Sequence, residues 1–435
     1  MKAQVFPILA VVLVCVSPVR VSAQPNDAND LQTLQGYLRY AALNNAGLKA
    51  AFEQWKAAIE QVPQARALPD PRFTYGYFIE EVETRVGPQR NKFGITQMFP
   101  WFGTIEARTR AAGATAGAAK KRYEARKLKL FFEVKDAFHE YVYLARAIDI
   151  AKENLELIKN FEEVAVTKYI GAAAGHPDVV RAQVELAKLE DQLRTLEGLR
   201  EPIVARLNAV LNRKSAGLLP WPTKEDYDAV EVDRQQMKEL LQSRNPELQA
   251  LDFELESARS RLELAKRNFY PDIGIGVDWT QTDDVIMAGT RDSGKDPIVL
   301  MFTLNLPIWR DSYKAAEIQA RANVRKTQLD KTEMENTLIA RAERVLYNLE
   351  DSERKRRLYG DILVPKTQEL VSASDSAYQG GTIDFLSLID AQQTLLKFEL
   401  LHERAVADSR QKLAELEMLV GAELNSTQRT EEKND

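Results

Sequence analysis

Two hydrophobic periods alternate along the chain. In DIGIGVDWT, residues 272–280, Ile273, Ile275, Val277 and Trp279 share one face while Asp272, Gly274, Gly276, Asp278 and Thr280 share the other, the period of two of a β-strand. PIVLMFTLNLP (297–307) places Ile298, Leu300, Phe302, Leu304 and Leu306 together, and RFTYGYFIE (72–80) does the same with Phe73, Tyr75, Tyr77 and Ile79. Elsewhere the spacing is three and four, as in Leu338, Ala342, Val345 and Leu349, the seam of a packed helix. These periods predict a helix over 31–65, strands over 72–81 and 90–99, a long helix over 104–170 and another over 178–212. They then predict a helix over 234–269, strands over 272–282 and 297–306, a long helix over 312–379 and a last one over 384–420. Each long helix would extend on the order of 100 Å at ~1.5 Å per residue. The shorter helices match that length only end to end, which predicts antiparallel coiled-coil pairing. Pro365 removes an amide donor inside the second long helix and predicts a kink there, with no counterpart in the first.

The same order of elements occurs twice because the chain is duplicated. Asn45 matches Asn245, Pro69-Asp70 matches Pro271-Asp272, Phe99-Pro100 matches Leu306-Pro307, and Tyr169 matches Tyr378, with the offset drifting only from 200 to 209. The predicted organisation is a signal segment over 1–23, a first unit over 24–212, a linker over 213–233, a second unit over 234–421 and a disordered tail over 422–435. Gly217 and the prolines at 220 and 222 make the linker irregular.

Four strands of about ten residues, apolar on one face and polar or glycine-rich on the other, have the length and pattern of tilted membrane-spanning strands. A half-buried soluble sheet shows the same period, but every predicted helix is engaged in coiled coil and none remains to cover the apolar face. Two open edges do not survive in lipid. Closure therefore requires several copies: two give eight strands, which side chains fill, and three give twelve, which can enclose a passage. The homotrimer is the prediction. The loops at 82–89 and 283–296 would lie at the outer surface. Pro69, Pro100, Pro271 and Pro307 would mark the opposite rim, where proline ends a ladder without orphaning an amide. In QMFPWFGTIEARTR, Trp101 suits a membrane interface and Gly103 a turn into the helix, and LNLPIWRDSYKAA repeats the arrangement with Trp309.

Composition adds an address. Lys2, the apolar run 6–16 and Val21-Ser22-Ala23 form a signal-peptide pattern. Its removal takes Lys2 and Arg20, moving the formal charge from −5 to −7, and takes Cys15, the only cysteine. Val14 is too large for a lipoprotein signal at Cys15, so lipid attachment is not expected there. Without a thiol, disulfides and thiolate metal sites are excluded. Interspersed charges give no basic patch, so no nucleic-acid partner is expected. His139, His176 and His402 lie far apart in sequence, and no phosphate loop, nucleophile elbow or HExxH occurs. Neither an enzyme nor a bound cofactor is expected.

YQGGTIDFLSLIDAQQTLL (378–396), its weaker twin YIGAAAGHPDVVRAQVELAKLED (169–191) and the duplicated strand-Pro-helix junctions resemble the TolC family of outer-membrane efflux channels. FPWFG, VVRAQVELAKLEDQL and LNAVLNR look most like its heavy-metal branch. The resemblance implies a mostly α fold with a small β part: a trimeric 12-stranded β-barrel, four strands per protomer, continued by an α-helical coiled-coil tunnel in the periplasm of a Gram-negative cell. It implies a passive conduit for substrates, metal cations first, handed on by an inner-membrane RND pump and a periplasmic adaptor; drugs or type I secreted proteins are the alternative cargo. A periplasmic coiled-coil scaffold is the rival from another class. The helix-helix turns would be adaptor-docking tips, with Gly171, Gly175, Gly380, Gly381 and Thr382, and Gly380 and Gly381 would supply positive φ. Asp390 falls on the family's aspartate that narrows the tunnel entrance, where three carboxylates would favour cations. Ser387 replaces the second acid found in some members, and Asp384 is the nearest substitute for its charge.

Overall fold

The computed structural model describes residues 31–214, 217–223, 230–286 and 289–424. The signal segment and most of the predicted tail lie outside the described residues. The element order is α1 (Leu34–Asn44), α2 (Ala46–Arg66), β1 (Arg72–Val82), β2 (Gln89–Phe99), α3 (Thr104–Ile170), α4 (His176–Gly198) and α5 (Arg200–Leu211). The second half follows with α6 (Arg234–Arg244), α7 (Pro246–Arg267), β3 (Ile273–Thr282), β4 (Ile298–Leu304), α8 (Arg310–Arg357), a π-helical turn (Leu358–Leu363), α9 (Val364–Gln379) and α10 (Phe385–Val420).

The helix predicted over 31–65 is two helices, and so is its twin over 234–269. Both break at an asparagine with the same backbone, φ −62° and ψ 121°. Asn45 accepts from the Leu48 amide at 2.9 Å and donates to the Val210 carbonyl at 2.8 Å. Asn245 accepts from the Leu248 amide at 3.0 Å and donates to the Leu419 carbonyl at 2.7 Å. An asparagine at a helix start satisfies orphan amides, and here each one also ties its helix to the end of its own unit.

The helix predicted over 178–212 is also broken, between Gly198 and Arg200. Pro202 has no amide to offer the Gly198 carbonyl, so the helix ends and restarts. Its counterpart α10 runs 36 residues without interruption. Ahead of Pro365 the chain widens into the π turn, which relieves the clash between the ring and the carbonyl four residues back. The 67-residue α3 has no such turn.

The short helices do lie end to end along the long ones. At the level nearer the sheet the packed columns run α2, α3, α7, α8, and at the far level α4, α3, α10, α9. Leu338, Ala342, Val345 and Leu349 are buried, packed with Met237 and Leu241 of α6 and Leu416, Leu419 and Val420 of α10. A separate apolar cluster at the far end joins both halves through Phe161, Val179, Tyr378, Phe385 and Leu388.

The strands form one antiparallel sheet in the order β1-β2-β3-β4, with β2 and β3 joining the halves. β4 ends at Leu304, two residues earlier than predicted. Each hairpin is closed by its predicted loop, and the loops bond to each other through the Gly294 amide and Val86 carbonyl at 2.8 Å. Strands β1 and β4 are free edges among the described residues.

Candidate functional site: sheet face, seam and helix tips

The sheet is inside-out by the standard of a water-soluble protein. On β3, Gly274, Gly276, Asp278, Thr280 and Thr282 are buried, while Ile275, Val277 and Trp279 are exposed. The cross-strand row Phe73, Ile95, Val277 and Leu300 is apolar, and so is Tyr75, Phe93, Trp279 and Ile298. Successive rings in the second row stand 5.2 and 5.3 Å apart. Ile79 is 91% exposed and Phe302 72%. On the opposite face Asp278 is 5% exposed and pairs with Lys92 at 2.6 Å. Gly94 faces Asp278 in register, and a Cβ there would sit 2.4 Å from its Oδ1. Glycine makes room for the charged pair.

At the seam between sheet and helices, Asp272 binds both halves together. Its Oδ1 accepts from the Trp101 amide at 3.0 Å, and its own amide donates to Asn305 Oδ1 at 2.6 Å. Trp101 stacks on Tyr270 with centroids 5.1 Å apart, so this ring is spent on internal packing. Phe102 and Trp309 are 76% and 74% exposed, and Trp309 is therefore no structural twin of Trp101. Gly103 stands at the N-terminus of α3 with φ 79°. Pro69, Pro100, Pro271 and Pro307 all fall just outside the strand ends.

At the far tips the two halves end their long helices with the same hydrogen-bonded turn. After α9, the Gly381 amide bonds the Tyr378 carbonyl at 3.0 Å and the Thr382 amide the Ala377 carbonyl at 2.9 Å. After α3, the Ala172 and Ala173 amides bond the Tyr169 and Lys168 carbonyls at 3.0 and 2.8 Å. This is the paired pattern that requires a left-handed residue past the helix end. Gly381 supplies it with φ 74°, and Ala172 supplies it with φ 55°. Gly171 and Gly380 have φ −76° and −72°, which corrects the expectation of positive φ at Gly380: the left-handed position lies one residue further on. Gly175 precedes α4 with extended backbone. Thr382 also donates its hydroxyl to the Ala377 carbonyl at 3.0 Å.

Asp384 is the cap of α10. Its Oδ1 accepts from the Ser387 amide at 2.9 Å and the Ser387 hydroxyl at 2.6 Å. These bonds hold the Asp384 carboxyl below the usual carboxylate range. Ser387 and Asp384 are thus joined to each other, whereas Asp390, one turn on, is exposed and forms no ion pair among the described residues. Behind them lie contacts that sequence reasoning missed. Lys168 donates to the Tyr378 carbonyl and sits 4.6 Å over its ring, tying one tip to the other. Asn154 links α3 to Gln392 at 2.9 Å and Glu399 at 3.0 Å on α10. The one sequence signal was asymmetry, since the repeat partner of Lys168 is Ala377. Burial raises the Glu399 carboxyl.

Comparison with known proteins agrees with this geometry. The sequence profile of the family described as Outer membrane efflux protein matches residues 38–213 and 238–422. Nodulation protein T of Rhizobium leguminosarum bv. trifolii is 19% identical over 405 residues, covering 90% of this chain and 86% of that protein. Cobalt-zinc-cadmium resistance protein CzcC of Cupriavidus metallidurans is 19% identical over 402 residues, covering 91% and 92%. A crystal structure of CusC, described in terms of folding and transmembrane channel formation, superposes with TM-score 0.76 at 14% identity, covering 91% and 92%. The structural likeness shows a TolC-like fold, and the family is one of channels rather than enzymes. With its inside-out sheet and its long paired helices, the chain belongs to the outer membrane efflux protein family and is an outer-membrane channel component with a helical tunnel on the periplasmic side.

Proposed function

We propose that three copies close edge to edge into a conduit that passes metal cations, delivered by an inner-membrane RND pump and a periplasmic adaptor, to the exterior. The observation that carries the conduit is the exposed apolar sheet face backed by a polar, glycine-rich one on β3, because an interior that is polar suits a water-filled passage. Edge columns support head-to-tail closure. Strand β1 and helices α2 and α4 bound one side, and β4, α8 and α9 the other. Exposed apolar residues stand on both, including Phe52, Ile59, Val180 and Val184 on the first and Ile318, Leu329, Ile362 and Leu370 on the second. A heterologous contact of this kind closes a ring when its rotation divides the circle.

Two features support cations as cargo: the relative whose name specifies cobalt, zinc and cadmium resistance, and the exposed Asp390 carboxylate at the tip of α10. Three such carboxylates around an entrance attract cations and repel anions. Ser387 and Asp384 serve as the cap that orients this turn. The exposed tips at Gly171, Gly175, Gly380, Gly381 and Thr382 are the proposed adaptor contacts. The test is a deletion strain challenged with cobalt, zinc, cadmium, copper, silver and a panel of drugs. Metal sensitivity restored by the wild-type gene is expected; sensitivity to drugs alone would overturn the metal assignment. In conductance work, Asp390→Ala is expected to lose most cation preference and block by multivalent cations.

A further inference from the structure

We infer that the concavity at the break between α4 and α5 binds a carboxylate-bearing compound with an apolar body. The break at Gly198–Arg200 exists in the first half alone, and it opens a cavity of about 700 Å³ between α3, α10 and the linker segment 217–223. That volume suits a small ligand. One wall is preorganised. The Trp221 ring stacks nearly parallel on the Tyr141 ring, 4.9 Å away, and the Arg200 guanidinium stands 4.0 Å from it while donating to the Tyr141 hydroxyl at 3.3 Å. Tyr141 and Arg200 both donate to the Leu219 carbonyl at 2.9 Å, fixing the linker over the cavity.

The floor is apolar, built from Val142, Ala145, Ile148 and Val406. The rim carries more cations than carboxylates: Arg146, Lys152, Arg200 and Arg410 against Asp149, Glu197 and Glu403. Three of its ion pairs stand open. Arg146 lies 3.5 Å from Asp149 and 3.6 Å from Glu403, and Lys152 lies 3.8 Å from Glu197. Closed charge-assisted hydrogen bonds measure about 2.7–2.9 Å. An incoming carboxylate gains a closed bond to Arg146 without breaking one, while its apolar body lies on the floor beside Trp221. Most of the cavity is built from the central columns α3 and α10, away from the β4, α8 and α9 edge, with Glu197 of α4 reaching it from the opposite edge column.

The test uses the full chain in lipid nanodiscs, titrated calorimetrically with 2-naphthylacetate and, separately, with 2-naphthylethylamine, which carries the same ring and the opposite charge. Empty nanodiscs supply the blank. Saturable binding of the anion, with the amine at least about tenfold weaker, is expected, and a tenfold difference corresponds to about 1.4 kcal/mol. Arg146→Gln should weaken the anion at least fivefold, with Arg146→Lys recovering part of the loss. Ala145→Trp, which fills the floor, should abolish binding with oligomer size unchanged, and it serves if Arg146→Gln assembles poorly. Equal binding of the two probes, preference for the amine, or anion binding that survives both Arg146→Gln and Ala145→Trp would overturn the assignment.

Discussion

Ala172 holds a left-handed backbone where its repeat partner is glycine, and the cost of that choice is measurable. A side chain in this region costs ~1–2 kcal/mol, offset in part by the ~0.4–1 kcal/mol of chain entropy that glycine adds to the unfolded state. Ala172→Gly should therefore raise the thermal midpoint slightly, and Gly381→Ala should lower it, both read by melting of the solubilised protein. His139 sets a second residue-scale effect. It is buried, and desolvation first, then Arg410 and Lys135, hold its imidazole down at about 3 against an ordinary 6.5. Between those values the unfolded chain binds the extra proton, so stability is complete above pH 6.5 and falls as the pH drops toward 3. Wild type should lose about 2–3 kcal/mol through this group between pH 7 and pH 4.5. His139→Leu should flatten that part of the slope, checked by urea midpoints at both pH values; an unchanged slope would refute the assignment.

Among the elements, those with one clear period were legible from sequence and those set by a single long-range bond were not. The 67 residues of α3 coincide with the predicted helix because no proline interrupts the three-four spacing. The break at Asn45 escaped prediction because it lies inside helical spacing and is held by a bond to a carbonyl 165 residues away, whereas its twin at Asn245 was legible in principle, since Pro246 disfavours helical backbone in the residue before it. The break at Leu199 was legible in principle from Gly198 and Pro202, and the π turn was read from Pro365 as a kink. The tip cap between Asp384 and Ser387 was hidden by reading both as charge positions, whereas Asp-x-x-Ser before an apolar run is a capping pattern. The locking bonds make a prediction of their own. Asn245→Ala removes a cap worth ~1 kcal/mol and leaves the Leu419 carbonyl unsatisfied at ~1–3 kcal/mol. A loss of about 2–4 kcal/mol is expected by urea unfolding, with Asn245→Asp keeping the cap and recovering part of it.

At the scale of the whole molecule, everything follows from which face of the sheet meets water. The helices cover each other in four columns and leave the sheet's apolar face bare, so its solvent is lipid. A charge placed on that face should be costly in a depth-dependent way. Phe302→Arg is expected to cost ~2–4 kcal/mol and to lower the folded yield in the outer membrane, while Thr303→Ser on the opposite face should leave it unchanged. The measurement that tests the conduit most directly is reconstitution of the purified protein into a planar bilayer, with its mass determined in detergent beforehand. A trimer that gives discrete, ohmic, cation-preferring conductance steps is the predicted result. A monomer that stays soluble without detergent and leaves the bilayer silent would contradict it.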